Sequence, residues 1–173
     1  PTYNNMSDRD VKAIVAYLRT VKPIHNEVPQ SKYNVPQQAM PPAKGLPAPL
    51  TKDKVAYDRY IVTALAHCFE CHSGPDPRGV PDLELKLGAG GFLITLAPGA
   101  TVMTANITPD PETGIGKWSD ADIKKALTHG IRPDGRHLAP PMPFSFFKNM
   151  TNSDLDAVVA FLRTIPPIKN AVE

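Results

Sequence analysis

The clearest hydrophobic pattern in the chain lies near its C-terminus. Leu155, Val158, Val159 and Leu162 follow an i, i+3, i+4, i+7 stripe, which predicts an amphipathic helix. Thr151 opens it as the cap, Asp154 stands at the third helical position, and Pro166-Pro167 ends it. A second helix starts at Ser119, with Asp122 as its capping-box partner, and stops at Gly130. A third runs from about Thr51, a candidate cap, to His67, with Val55, Ile61, Ala64 and Leu65 as core positions. These stripes read as packing faces, because a helix of this length spends its apolar side on the core. The only short apolar run bounded by turn residues is Phe92-Leu93-Ile94-Thr95-Leu96, which fits a brief hairpin or the lining of a pocket, the second being favoured. The fold class expected is therefore all-α.

The same stripe occurs a second time. Val11, Ile14, Val15 and Leu18 repeat it, and the likeness extends beyond the helix. Asn5-Met6 recurs as Asn149-Met150, Leu18-Arg19-Thr20 as Leu162-Arg163-Thr164, and Pro23-Ile24 as Pro167-Ile168. Asn26 and Val28 recur as Asn170 and Val172, and the spacing of 144 residues, Leu18 to Leu162, holds without a gap. Unrelated surface helices would not keep that register into the exit loop. Residues 1–28 are accordingly expected to be the C-terminal helix of a preceding, homologous domain. Residues 29–50 form a proline-rich linker of polyproline type, and 51–173 a complete domain. On this reading the chain is an excerpt of a protein with at least two such domains.

Composition narrows the function classes. Hydrophobic content of 42% with only 7% aromatics leaves the core to aliphatic residues, and 173 residues bury about one good core. A formal charge of +2 with no Lys/Arg cluster excludes a nucleic-acid binder. The most apolar stretch, 89–107, is interrupted by Gly90, Gly91, Pro98 and Gly99 and cannot span a bilayer as a helix. The chain opens on Pro1 and shows no signal peptide, so a leader is expected to have been removed or to lie elsewhere.

Candidate chemistry concentrates at Cys68-Phe69-Glu70-Cys71-His72, which holds the only two cysteines. A dithiol redox site belongs in a βαβ context, and no alternating strand pattern flanks this one. Zinc needs two more ligands at a recognisable spacing, and His67, His129 and His137 do not supply it. A disulfide across so small a loop contributes little. C-x-x-C-H is the attachment signature of a c-type haem: both thiols face one side of a helical turn and the histidine becomes the proximal iron ligand. One haem c is expected in this chain, with more in the intact protein. Haem attachment at this motif takes place outside the bacterial cytoplasmic membrane, which points to the periplasm.

An electron carrier wants its sixth iron position filled. Met142 stands in Ala139-Pro140-Pro141-Met142-Pro143-Phe144, where prolines stiffen the loop enough to hold a weak thioether ligand. Met103, in an apolar loop, is the fallback, and Met150 aligns with Met6 and suits a structural role. The other ring N–H of His72 is expected to reach a carbonyl between Gly74 and Pro81. Trp118, Asn106, Arg132 and Arg136 are candidates for hydrogen bonds to the haem propionates, Trp118 foremost. Two other readings stay open on these residues: a peroxidase using His129 or His137 on the distal side, and a haem-based ligand sensor.

Three further segments carry a resemblance. Asn106-Ile107-Thr108-Pro109-Asp110, Gly114-Ile115-Gly116-Lys117-Trp118-Ser119-Asp120 and Gly130-Ile131-Arg132-Pro133-Asp134-Gly135-Arg136 are similar to the multihaem cytochrome c subunits of bacterial membrane-associated dehydrogenases. Those subunits serve alcohol, aldehyde, gluconate and sorbitol dehydrogenases and some molybdenum hydroxylases. The resemblance covers 57–167, and 1–28 matches the tail of the same domain. It implies a class I cytochrome c fold with haem iron between His72 and Met142. It also implies relay of single electrons from a dehydrogenase subunit toward quinone or a terminal oxidase, with no substrate chemistry in this domain. Relatives of this kind often carry three such domains and a membrane-attaching tail, which this chain does not encode.

Overall fold

The computed structural model describes residues 2–33, 47 and 52–172. It divides into two units, Pro1–Pro49 and Leu50–Glu173. In the first, a 3₁₀ turn (Thr2–Asn5) leads into helix α1 (Asp8–Leu18). Ser7 caps α1 by accepting a hydrogen bond from the Asp10 N–H at 3.2 Å. None of the residues of α1 is buried. Residues 29–33 and 47 of the expected linker have no regular structure, and its remaining positions lie outside the described residues, as does the candidate cap Thr51.

The second unit contains helices α2 (Lys54–Tyr60), α3 (Cys68–His72), α4 (Asp120–His129), α5 (Phe144–Phe147) and α6 (Asn152–Thr164). Asp53 caps α2 through the Ala56 N–H at 3.1 Å. The helix expected to run unbroken to His67 instead widens into a π turn at Ile61–Leu65. Its buried face is Tyr57, Asp58, Ile61, Val62 and Ala64, so Val55 and Leu65 fall off it and are exposed. Val62, fully buried, is the core residue the α-helical period missed. The Tyr57 hydroxyl donates to Asp154 at 2.6 Å, tying α2 to α6.

Helices α4 and α6 follow the sequence signals closely. The Ser119–Asp122 capping box is present in both directions, and Gly130 ends α4 in the left-handed conformation at φ 66°. Thr151 caps α6 through the Asp154 N–H at 3.1 Å. The stripe Leu155, Val158, Val159 and Leu162 is buried against Ile61, Val62, Phe69, Ile115, Ile123 and Leu127.

The expectation of a purely helical domain needs one correction. β1 (Leu93–Ala97) and β2 (Ala100–Met103) pair antiparallel, Leu93 opposite Met103 and Thr95 opposite Thr101, with a register shift before Ala97. Pro98-Gly99 makes the turn, with Gly99 at φ 78°. Most of the hairpin's side chains are exposed rather than lining a pocket. Among the described residues, no helix is long and apolar enough to cross a membrane.

Candidate functional site

Two residues past the π turn stands His67, a left-handed residue with φ 53° and ψ 32° that redirects the chain into α3. Phe69, between the two cysteines, is 4% exposed and packs edge-on against Phe161 of α6, ring centroids 6.1 Å apart. That anchor fixes the short helix, so Cys68, Cys71 and His72 project from a rigid base. The two thiols are not joined to each other; Cys68 is half-buried and Cys71 exposed. Burial pushes the Cys68 thiol up to about 12, and burial followed by the Glu70 charge raises Cys71. Among the described residues no three His, Cys, Asp or Glu side chains gather as a metal site.

The His72 ring sits 2.8 Å from the Ala105 carbonyl through Nδ1. A carbonyl only accepts, so Nδ1 carries the hydrogen and Nε2 presents its lone pair. Burial lowers the imidazole below its usual range, against the opposing pull of that carbonyl, and keeps it neutral. The partner is Ala105 and not a carbonyl of the 74–81 segment. That segment is occupied elsewhere: the Gly74 carbonyl accepts from Asp82 N–H and the Pro75 carbonyl from Lys86 Nζ. Gly90, at φ 70°, closes against the Ala105–Asn106 peptide, and its N–H donates to the His72 carbonyl at 2.8 Å.

Met142 is half-buried and packs against the cluster that Cys68, Leu87, Ile107 and Trp118 also border. Met103, the fallback, is 41% exposed at the end of β2, beside an open cleft with Gly74, Pro75 and Lys86. Met150 packs on the core. His129 and His137 are both exposed.

The expected propionate partners part company. Trp118 borders the core, with the Arg132 guanidinium 5.4 Å from its ring centroid. Arg132 also approaches Asp134 at 3.6 Å. Arg136 is 70% exposed and its guanidinium pairs with Asp134 at 2.7 Å. Asn106 is 4% exposed, and its amide is committed within the protein. Nδ2 donates to Ile168 O at 2.8 Å and Thr113 Oγ1 at 3.0 Å, while Oδ1 accepts from Thr108 N–H and Oγ1 at 2.9 and 2.7 Å. The Asn106 amide, read from sequence as a propionate partner, thus bonds four groups of the protein itself.

Sequence reasoning passed over Arg163. It bonds the Trp118 carbonyl and Asp120, the latter at 2.9 Å, and so holds the Trp118 loop on α6. Its recurrence as Arg19 in the internal repeat was the available signal. The Ala105 carbonyl, a backbone group, left none.

The donor set fits a c-type haem: two free thiols three residues apart, an imidazole whose Nδ1 bonds the Ala105 carbonyl and leaves Nε2 as the acceptor nitrogen, and a thioether on the same apolar cluster.

Comparison with known proteins places the chain among related sequences. The family model described as Cytochrome c matches residues 61–166. A nicotinate dehydrogenase subunit of Pseudomonas putida is 39% identical over 108 residues, 62% of this chain and 8% of that protein. The cytochrome c subunit of alcohol dehydrogenase (quinone) from Gluconacetobacter polyoxogenes is 38% identical over 108 residues, 62% of this chain and 21% of the relative. The fructose dehydrogenase cytochrome subunit of Gluconobacter japonicus is 31% identical over 180 aligned residues, covering 95% of this chain and 35% of the relative. The chain thus spans about a third or less of these relatives.

Proposed function

Because the chain belongs to the cytochrome c family, we propose that its second unit holds one covalent haem c. In this role it relays single electrons from a periplasmic dehydrogenase toward quinone or a terminal oxidase. Cys68 and Cys71 are the thioether attachment points, His72 Nε2 the proximal ligand and Met142 the distal one. The observation that carries the reading is the His72 Nδ1–Ala105 O bond of 2.8 Å, which fixes the tautomer and aims Nε2 away from the backbone. Bound haem supplies an iron that alternates between ferric and ferrous, favouring ferrous with a thioether ligand.

The protein's part is to hold that geometry still. Phe69 anchors the attachment helix, and the exposed Cys71 marks the edge where electrons enter and leave. Trp118, steadied by Arg132 and Arg163, is the residue best set to bond a propionate, and Arg136 is free to do so only by leaving Asp134. The names of the relatives support a dehydrogenase as the electron donor.

The first unit belongs with the second as the closing helix of another cytochrome domain. Three observations support this: the 144-residue register, the exposed core stripe of α1, and the fructose dehydrogenase cytochrome alignment running over 95% of the chain. The intact protein would then be multihaem.

Replacing Met142 tests the core of the proposal. Met142→Ala should abolish the sulfur-to-iron absorbance of the ferric protein and lower its reduction potential. An unchanged spectrum and potential would reject Met142 as ligand.

A further inference from the structure

Resting on the reading of His72 as an iron ligand, we infer that Asn106 is a positioning residue that tunes the haem through the backbone. Its own side chain is committed within the protein, yet it sits one residue from the carbonyl that His72 needs. The Ala105–Asn106 peptide is held from two sides. On one side lies Gly90, whose missing Cβ would stand 2.5 Å from the Ala105 carbonyl carbon and 2.6 Å from the Asn106 nitrogen. On the other, the Asn106 amide ties the peptide to Thr108, Thr113 and Ile168 O.

The tie continues through the C-terminal segment. Asn170 N–H donates to Thr113 Oγ1 at 2.9 Å, and Asn170 Nδ2 donates to Ala89 O at 2.9 Å. Ala89 adjoins Gly90, which bonds the His72 carbonyl. Asn106, Thr113 and Asn170 therefore link the Ala105–Asn106 peptide by hydrogen bonds to Ala89, whose neighbour Gly90 packs back against that same peptide. None of them touches the imidazole. What they fix is the direction of the Ala105 oxygen.

That direction has a chemical consequence. A carbonyl accepting from Nδ1–H raises the basicity of the ring and its donation to iron, which favours the ferric state. Loosening the carbonyl should therefore raise the reduction potential. It should also let the Nδ1 proton exchange with water about tenfold faster, the change expected for losing about one hydrogen bond's worth of protection.

The test uses the haem-loaded full chain. Asn106→Ala and Thr113→Val are compared with wild type and with Thr113→Ser, which keeps the hydroxyl. Potentiometric titration and exchange of the His72 Nδ1 proton in the ferrous protein are the readouts. Expected are a more positive potential and faster exchange in Asn106→Ala and Thr113→Val, with Thr113→Ser close to wild type. Should Asn106→Ala fail to fold, Thr113→Val against Thr113→Ser still decides the matter. Variants that lose stability while potential and exchange stay at wild-type values overturn the inference and leave the haem reading intact. A wild-type protein without a haemochrome, or whose haem is not ligated by His72, overturns both.

Discussion

A methyl group at position 90 would clash with the Thr104–Asn106 backbone, with Ala105 C and Thr104 O at 2.5 Å and Asn106 N at 2.6 Å. The φ of 70° is unfavourable for any other residue as well. Gly90→Ala should therefore cost about 2–3 kcal/mol in denaturant unfolding and weaken the His72–Ala105 bond it backs. Asp110 yields a second prediction. Its Oδ1 accepts from Thr113 N–H, Thr113 Oγ1 and Glu112 N–H at 2.7, 2.8 and 3.1 Å. The Thr113 backbone bond, then its hydroxyl, hold the carboxyl below the usual aspartate value of 3.8. A carboxyl depressed in the folded state stabilises above its unfolded pKa, and that stability is lost as pH falls through the folded one. The urea midpoint should thus drop as pH falls below about 4, and Asp110→Asn should flatten that limb. The attachment residues were legible in the sequence because C-x-x-C-H is local and chemically specific. The Ala105 carbonyl was not: it lies 33 residues from His72 and every residue owns one.

Helices α4 and α6 were readable because their caps and stripes lie within one short window, so Ser119, Asp122, Thr151 and Asp154 act where sequence places them. Helix α2 was harder. Its π turn shifts the buried face, and no residue type marks where such a turn falls. The β1–β2 hairpin was one of two readings of 92–96, and nothing in the sequence favoured it. Its side chains are mostly exposed on both faces, so burial imposed no alternation on the sequence. Helices α1 and α6 carry the same stripe in different surroundings, and this gives a paired test. Leu162 is 3% exposed, whereas its counterpart Leu18 is 60% exposed. Leu162→Ala should cost about 2–5 kcal/mol, and Leu18→Ala should stay within about 0.5 kcal/mol, both by urea denaturation of the full chain. Equal costs would contradict the exposed setting of Leu18 beside the buried one of Leu162.

Taken together, the helices of the second unit set an attachment motif, a fixed imidazole and a thioether-bearing loop around one apolar cluster, in a domain of the cytochrome c family. The electron relay proposed for that domain depends on covalent haem at Cys68 and Cys71. The intact mass of the chain, purified from a host with c-type haem maturation and read beside its pyridine haemochrome, examines this without intermediaries. Expected are a mass increased by one haem, a haemochrome of the two-thioether type, and loss of both in the Cys68→Ala, Cys71→Ala double variant. A chain of unmodified mass from that host, with both thiols free to react, would refute covalent haem attachment and the electron-relay function with it.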